Sequence, residues 1–278
     1  MLVEPRWKYL DAATPLAFAH RGGAAEGDEN TAEAFGRAIA LGYRYVETDV
    51  HATADGVPVV FHDPTLLRMT GNAAPIATLS WAELRSVRVG GAAAVPRLDE
   101  VLDAWPQVRF NIDVKADAAA GPAVQAVQRA GAEDRVLLAS FFDARLARLR
   151  TLAGPRVATS LGRRSVARLW LASRVPDLNG PARKVGPARE SGPARAGWRG
   201  RMAGIAAAQV PPGRGRLTIV DRRFIDRAHR LGLQVHVWTI DDPDEMRRLL
   251  DLGVDGIMTD RVEVLRKVYA DRGLWPPR

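Results

Sequence analysis

The sequence predicts an α/β protein folded as a closed (β/α)8 TIM barrel, and three observations favour this fold class. Eight short apolar runs alternate with amphipathic stretches, which is the pattern of parallel strands joined by helices. The chain has 278 residues, a length typical of a single barrel domain. Its composition, 47% hydrophobic and 26% charged, excludes wholesale disorder, fibrous repeats and a membrane bundle. A doubly wound open sheet is the alternative arrangement of the same elements.

The strands and helices are assigned in chain order from this alternation. The eight predicted strands cover residues 16–19, 45–50, 109–115, 136–140, 156–160, 204–210, 233–239 and 256–259. The helical patterns between them cover residues 31–41, 118–130, 144–151, 163–173, 220–231, 243–252 and 262–270. Some boundaries carry their own signals: Asp242 is a cap ahead of Pro243 at the first helical position, and Gly232 and Gly253 stand where helices stop.

An extra stretch separates the second predicted strand from the third. It runs over residues 51–98, with a short apolar run at 57–61 and a short helix near 80–87. This is longer than a simple strand-to-helix loop. We therefore expect a small insertion at the mouth of a single domain that spans residues 1–278.

The positive charge of the chain, +8 overall, is concentrated in one segment. Residues 163–216 hold 12 Lys or Arg and two acids, which leaves 28 basic and 30 acidic residues elsewhere. Within this segment the tetrapeptide GPAR occurs three times, starting at Gly180, Gly186 and Gly192. Regularly spaced proline forbids a continuous helix or central strand, so residues 175–202 are predicted to form a low-complexity basic loop before the sixth strand.

Two interpretations of this loop stay open. One is a tolerated insertion, and the other is a weak contact with anions or an anionic membrane surface. Because the charge is local, no nucleic-acid partner is expected. The sequence does not predict an oligomeric state.

The chain contains no cysteine, which excludes disulfides, zinc–thiolate sites and cysteine nucleophiles. The N-terminal residues include acids and lack an apolar core, so a secretory signal is not expected. No apolar run approaches the roughly 18 residues that a spanning helix needs. We therefore predict a cytoplasmic location.

Catalytic groups in such a barrel come from the C-terminal ends of the strands. Glu47 and Asp49 are two residues apart on a predicted strand and point the same way, so they can jointly hold a hard divalent cation. Asp113 ends a neighbouring predicted strand and supplies a third oxygen ligand. The sequence thus predicts a cation site at this end of the barrel.

Basic and imidazole side chains arrive at the same strand ends. Arg21 offers a planar fork and Lys115 a point charge, a combination suited to phosphate. His20 and His62 supply the two imidazoles that general acid–base hydrolysis at neutral pH requires. Each of these residues alone is more often structural, and their joint arrival is what favours an active site. His236, which shares a strand face with Trp238, is expected to be a core histidine.

The order of short motifs resembles that of one known family, the glycerophosphodiester phosphodiesterases. The matching motifs are HRGG (20–23), ENT (29–31), ETDVH (47–51), TADG (53–56), VFHD (60–63), TLLRMTG (65–71), PRLDEVL (96–102), NIDVK (111–115), VWTI (237–240) and GVDGIMTD (253–260). The resemblance covers residues 16–261 except for the basic loop. It implies a (β/α)8 barrel with an insertion after the second strand.

The resemblance also implies an activity, a cofactor and a set of site residues. The activity is hydrolysis of glycerophosphodiesters to sn-glycerol 3-phosphate and an alcohol with one divalent cation, Mg²⁺ or Ca²⁺. Its route would use the glycerol 2-hydroxyl as nucleophile and pass through a cyclic phosphate. The implied roles are acid and base for His20 and His62, phosphate binding for Arg21 and Lys115, metal binding for Glu47, Asp49 and Asp113, pocket shaping for Glu29 and Asn30, and contact with the glycerol side for Phe141 and Trp238.

One position departs from the family pattern. The family usually has Glu where this chain has Asp113, and the shorter side chain retracts the ligand by roughly 1.5 Å, about one bond length. Two rivals to this function stay open. One is a lysophospholipase D-like or sphingomyelinase D-like phosphodiesterase of the same fold. The other is a degenerate, non-enzymatic barrel that binds polyanions or anionic membranes through the basic loop.

Overall fold

The computed structural model describes residues 7–175 and 204–276. Its strands, in chain order, are β1 (Leu16–His20), β2 (Tyr45–Ala52), β3 (Pro58–Val60), β4 (Arg88–Val89), β5 (Ala93–Ala94), β6 (Arg109–Val114), β7 (Val136–Ala139), β8 (Ala158–Ser160), β9 (Ile205–Val210), β10 (Gly213–Arg214), β11 (Leu217–Thr218), β12 (Gln234–Val237) and β13 (Gly256–Thr259). Eight of them form a closed parallel barrel in the cyclic order β1, β2, β6, β7, β8, β9, β12 and β13, with β13 paired back to β1. The predicted barrel is confirmed, and the open sheet is wrong.

Helices follow the barrel strands on the outside. The α-helices of the described residues are α1 (Ala32–Ala40), α2 (Leu67–Thr70), α3 (Trp81–Leu84), α4 (Leu98–Ala104), α5 (Ala120–Arg129), α6 (Asp143–Ala153), α7 (Arg163–Arg174), α8 (Arg222–Arg230), α9 (Pro243–Leu252) and α10 (Val262–Asp271). Short 3-10 turns occur at Lys8–Leu10, Ala24–Glu26, Ile76–Thr78, Asp117–Ala119 and Glu133–Arg135. All seven predicted helices are present. The prediction missed α4, because seven residues are too few to display a helical period.

The insertion lies between β2 and α4 and is bound to the barrel. Strand β3 pairs antiparallel with the end of β2, Val50 opposite Val60, while β4 and β5 form a small hairpin. The insertion has its own core, which includes Phe61, Leu66 and Ile76. The predicted limits, 51–98, are too wide, because β2 continues to Ala52 and α4 already begins at Leu98.

Side chains alternate along the barrel strands between the helix layer and the barrel interior. On β6, Phe110 and Ile112 pack in the main core, whereas Asn111 and Asp113 line an interior cavity. A second cluster, which includes Phe18 and Met258, fills the barrel interior, and Met258 also lines the cavity. The cavity and its polar lining lie above this filled part, at the C-terminal ends of the strands.

His236 belongs to this filled part, as predicted. It is 0% exposed, and its ring centroid lies 4.9 Å from that of Phe18. Its Nε2 donates a hydrogen bond to Gln234 Oε1 at 2.9 Å. Burial lowers the pKa of His236 to about 4, so the imidazole is neutral at pH 7.

Two further predictions concern segments outside the barrel core. The basic loop, residues 175–202, lies outside the described residues apart from Val175, and α7 ends at Arg174 while β9 begins at Ile205. Among the helices of the described part of the chain, none combines the length and apolarity required to cross a membrane.

Candidate active site

A cavity of about 150 Å³ opens at the C-terminal ends of the barrel strands. Nine of the eleven predicted site residues line it: His20, Arg21, Glu47, Asp49, His62, Asp113, Lys115, Phe141 and Trp238. The strand ends therefore bring together the residues that the sequence predicted. The cavity is small by comparison with typical ligand pockets of 300–1,000 Å³, so it suits a small polar group.

The turn after β1 directs Arg21 back into the cavity. Arg21 has φ 51° and Gly22 has φ 84°, so the chain passes through left-handed conformations immediately after His20. A Cβ atom at Gly22 would lie 2.8 Å from the Phe35 ring, closer than real contacts allow. Only glycine fits this position, which explains the HRGG sequence in local terms.

His20, at the end of β1, is held between two carboxylates. Its Nδ1 lies 2.6 Å from Asp260 Oδ1, and its Nε2 lies 3.6 Å from Glu47 Oε2. Burial disfavours the charged imidazole, but Glu47 and Asp260 outweigh it and raise the pKa of His20. The arrangement favours a protonated imidazolium whose Nδ1 is already engaged.

His62 is held in a similar way, by an aspartate at its Nδ1. It follows β3, and its Nδ1 lies 2.6 Å from Asp63 Oδ1, which leaves Nε2 as the ring nitrogen for substrate. His51 Nε2 donates a hydrogen bond to the His62 carbonyl oxygen at 3.1 Å. Arg68 donates to both Asp63 oxygens and holds the pKa of that carboxyl at about 2.

Lys115 and Arg21 form the cationic part of the cavity with Asp49 between them. Lys115 Nζ lies 2.7 Å from Asp49 Oδ1 and 2.6 Å from Asp113 Oδ2. Arg21 Nε lies 3.2 Å from Asp49 Oδ2, an ion-pair distance without hydrogen-bond alignment. Burial opposes ionisation of Asp49, but Lys115 and Arg21 lower its pKa. Burial likewise opposes the Lys115 charge, and Asp49 and Asp113 raise its pKa.

Glu47 is the cavity carboxylate whose negative charge is least stabilised by neighbouring cations. Its Oε2 accepts a hydrogen bond from the Arg21 backbone N at 3.2 Å. Burial and the nearby Asp49 charge raise the pKa of Glu47 to about 7. A cation beside Glu47 would stabilise its ionised form.

The residues proposed for the metal fit a hard cation by their donor chemistry. Glu47 and Asp49 project from β2, and Asp113 pairs in register with Asp49 on β6. Asp113 Oδ1 is buried and has no hydrogen-bond partner among the described residues. Such an oxygen is a suitable ligand for Mg²⁺ or Ca²⁺. Within residues 7–175 and 204–276, however, no three His, Asp or Glu side chains form a ready-made metal cluster.

Glu29 and Asn30 do not line the cavity. Each contacts a residue that does. Asn30 Nδ2 donates to Asp49 Oδ2 at 2.9 Å, while its Oδ1 accepts from Thr48 Oγ1 at 2.7 Å. Glu29 Oε1 accepts from Arg21 Nη1 at 2.9 Å. Both residues thus orient groups that face the cavity.

Phe141 and Trp238 form an aromatic wall. Their ring centroids lie 5.6 Å apart in an edge-to-face arrangement. The Arg163 guanidinium stacks on Phe141 at 4.4 Å from the ring centroid, and Lys115 Nζ lies 5.6 Å from it. This wall combines an apolar surface with positive charge.

Several contributors were not assigned a role from the sequence. Asp63 and Asp260 orient the two histidines, and Asn111, Ser160 and Gln209 add polar groups to the cavity. Two features of the sequence could have pointed to the aspartates: Asp63 directly follows His62, and Asp260 directly follows the last barrel strand.

Comparisons with known proteins agree with this geometry. The model of the glycerophosphoryl diester phosphodiesterase family matches residues 20–264. A Mycobacterium tuberculosis protein named Probable glycerophosphodiester phosphodiesterase 2 is 37% identical, over 98% of this chain and 97% of its own length. A solved structure from Silicibacter pomeroyi, assigned as a glycerophosphoryl diester phosphodiesterase, has a TM-score of 0.74 and 25% identity, covering 97% of this chain and 98% of its own. A lysophospholipase D of Rattus norvegicus is 37% identical over 35% of each chain.

Proposed function

Because this chain belongs to the glycerophosphoryl diester phosphodiesterase family, and is thus a phosphoric diester hydrolase, we propose how its cavity cleaves glycerophosphodiesters to sn-glycerol 3-phosphate and an alcohol. The observation that carries the proposal is the pair of histidine–aspartate contacts, His20 with Asp260 and His62 with Asp63, on one cavity that also holds Arg21. Acid–base groups and a phosphate-binding cation are what phosphodiester hydrolysis needs.

Arg21 and Lys115 bind and orient the phosphate. Arg21 presents a planar fork and Lys115 a point charge, and both line the same small cavity. Lys115 bridges Asp49 and Asp113 at 2.7 and 2.6 Å, so it is already fixed by packing and charge before substrate arrives. The Phe141 and Trp238 wall then receives the apolar face of the glycerol carbons.

His20 is the general acid and His62 the general base. The two carboxylates that flank His20 favour its charged form, whereas the Asp63 charge beside His62 is already neutralised by Arg68. His62 Nε2 takes the proton of the glycerol 2-hydroxyl, whose oxygen bonds to phosphorus. As the bond from phosphorus to the alcohol oxygen breaks, His20 gives that oxygen its proton.

The resulting cyclic phosphate is opened by water with the roles of the histidines reversed. His20, now neutral, accepts a proton from water, and His62 returns its proton to the 2-oxygen. A diester that lacks the 2-hydroxyl should therefore be a very poor substrate. Its normal hydrolysis would indicate direct attack by water.

Glu47, Asp49 and Asp113 would hold one divalent cation, Mg²⁺ or Ca²⁺. The unpartnered Asp113 oxygen and the poorly compensated Glu47 charge support this assignment. When bound, such an ion neutralises phosphate oxygens and lowers the pKa of an attacking hydroxyl.

A lysophospholipase D-like reaction is the second candidate, favoured by the local match to the rat enzyme. The match to the Mycobacterium tuberculosis glycerophosphodiester phosphodiesterase covers 98% of this chain, whereas the match to the rat enzyme covers 35%, and this favours the soluble diester. The test compares glycerophosphocholine with lysophosphatidylcholine at saturating Mg²⁺ or Ca²⁺, with released choline measured for both substrates and glycerol 3-phosphate measured for the soluble diesters. Release of glycerol 3-phosphate from several soluble diesters supports the proposal. A folded enzyme that cleaves only the lysolipid contradicts it.

A further inference from the structure

One arginine of the insertion bridges two acids that each hold a site residue. Arg68, on the four-residue helix α2, donates from Nε to Asp63 Oδ2 at 2.7 Å and from Nη2 to Asp63 Oδ1 at 3.1 Å. The same guanidinium donates from Nη1 to Glu29 Oε2 at 3.0 Å and from Nη2 to Glu29 Oε1 at 2.6 Å. It therefore contacts all four oxygens of the two carboxylates.

Each of these two acids also contacts a residue of the proposed site: Asp63 contacts the base, His62, and Glu29 contacts the phosphate-binding Arg21. Asp63 Oδ1 also contacts His62 Nδ1 at 2.6 Å, and Glu29 Oε1 also accepts from Arg21 Nη1 at 2.9 Å. Arg68 itself does not line the cavity. It thus reaches both sides of the site through one intermediate residue on each side.

We propose that Arg68 is a positioning residue that fixes His62 through Asp63 and Arg21 through Glu29; this inference rests on the proposed function of those two residues. A planar guanidinium locks the rotation of both carboxylates at once, which an ammonium group cannot do. The pKa values of Asp63 and Glu29 are both lowered, as expected for carboxylates in charge-assisted hydrogen bonds with arginine.

The local structure aims Arg68 at the barrel. Leu66, just before α2, is buried in the insertion core, and Gly71 ends the helix in a left-handed conformation with φ 77°. The single helical turn between these two fixed points carries Arg68. Apart from His62, no residue of the described insertion, 53–97, lines the cavity, so Arg68 acts on the site only through the residues that it contacts.

The first experiment measures kinetics in a double-mutant cycle. Arg68→Met should lower kcat on a soluble glycerophosphodiester by about 10- to 100-fold, the usual cost of losing a supporting contact. In a His62→Ala background the same substitution should lower kcat by a clearly smaller factor, because only the route through Glu29 to Arg21 is left. Arg68→Lys should recover part of kcat but not all.

The matched control is Arg88→Met. Arg88 is an exposed arginine of the same insertion whose hydrogen bonds go to the backbone carbonyls of Arg85 and Val87. Its replacement should leave kcat within two-fold of the parent. Equal losses from Arg68→Met with and without His62 would overturn the proposal, because a general loss of stability acts in both backgrounds.

The second experiment does not require activity. The short Nδ1–Asp63 contact of His62 should give a downfield imidazole proton resonance, identified by its loss in His62→Ala. This resonance should vanish or broaden in Arg68→Met and persist in Arg88→Met. Its persistence in a folded Arg68→Met protein would overturn the inference whether or not the enzyme cleaves glycerophosphodiesters. An inactive wild type that nevertheless shows the Arg68-dependent resonance would refute the proposed function alone.

Discussion

Asp260 Oδ1 lies 2.6 Å from Nδ1 of His20, and this contact spans the seam at which the barrel closes. His20 is the last residue of β1, and Asp260 follows β13, the strand that pairs with β1. Asp241 holds Asp260 in place, because it accepts hydrogen bonds from the Asp260 backbone N at 2.9 Å and from Thr259 Oγ1 at 2.8 Å. Closure of the barrel therefore sets the orientation of the proposed general acid.

Asp260→Asn should lower kcat by about 10- to 100-fold with a small change in KM, since the amide keeps the shape but no longer favours the imidazolium. Steady-state kinetics on glycerophosphocholine measure both constants. The control is Asp244→Asn, because Asp244 is an exposed partner of Arg247 on α9. A wild-type kcat in the folded Asp260→Asn protein would mean that His20 needs no orienting acid.

His20→Ala and His62→Ala should each lower the rate by on the order of 10² to 10⁴ when chemistry limits turnover. His229→Ala is the matched control, because His229 Nε2 also lies 2.6 Å from an aspartate, Asp255, but on the outer surface. It should keep near-parent turnover. If either cavity variant retains the parent rate, that histidine is not an acid or base in the reaction.

Chelator-treated enzyme should be inactive and should recover with Mg²⁺ or Ca²⁺, because the proposed ligands Glu47, Asp49 and Asp113 offer hard oxygen atoms. Calorimetric titration gives a readout that is independent of turnover. Asp113→Ala should weaken cation binding, while Asp113→Glu should preserve it or tighten it by extending the ligand. Full activity after exhaustive chelation, or unchanged cation affinity in Asp113→Ala, would contradict this ligand set.

The stability of the protein should fall as pH drops from about 6.5 to about 4 because of His236. Burial keeps its folded pKa at about 4, against 6.5 for the ordinary imidazole, so in this window the unfolded chain binds a proton that the folded chain does not. The contribution of His236 to the free energy of unfolding is complete above the pKa of the unfolded chain. It is lost as the pH falls to the pKa of the folded protein. Its full size is roughly 3 kcal/mol.

Urea unfolding of the wild type and of His236→Gln at pH 7.5 and 4.5 tests this. Glutamine can still hydrogen-bond to Gln234 but does not titrate. The wild type should lose about 2 to 3 kcal/mol more than the variant between the two pH values. Parallel losses in both proteins would show that His236 does not titrate in this range.

The barrel and most of the cavity could be predicted from the sequence because both follow from local order along the chain. Apolar runs mark the strands, and polar residues at their ends, such as Glu47 and Lys115, converge wherever eight strands close. The supporting contacts could not be predicted in the same way. Asp260 is 240 positions from His20, and their pairing depends on the closed geometry. The role of Arg68 depends on the path of the insertion, which no periodicity encodes.

Deleting residues 180–195 should leave turnover of a small soluble diester within a few-fold of the parent. The segment that contains these residues leaves α7 at Arg174 and enters β9 at Ile205, so it connects the end of a helix to the start of a strand. In a barrel of this kind the end of a helix and the start of the next strand both lie at the N-terminal face, opposite the strand ends that carry His20 and Glu47. Adsorption to anionic vesicles at low salt should fall in the same variant, since each lost Arg or Lys near the surface contributes up to about 1 kcal/mol. Vesicle sedimentation and the coupled assay measure the two effects separately. Loss of turnover in a folded deletion variant would mean that this segment reaches the active-site mouth, which the position of α7 argues against.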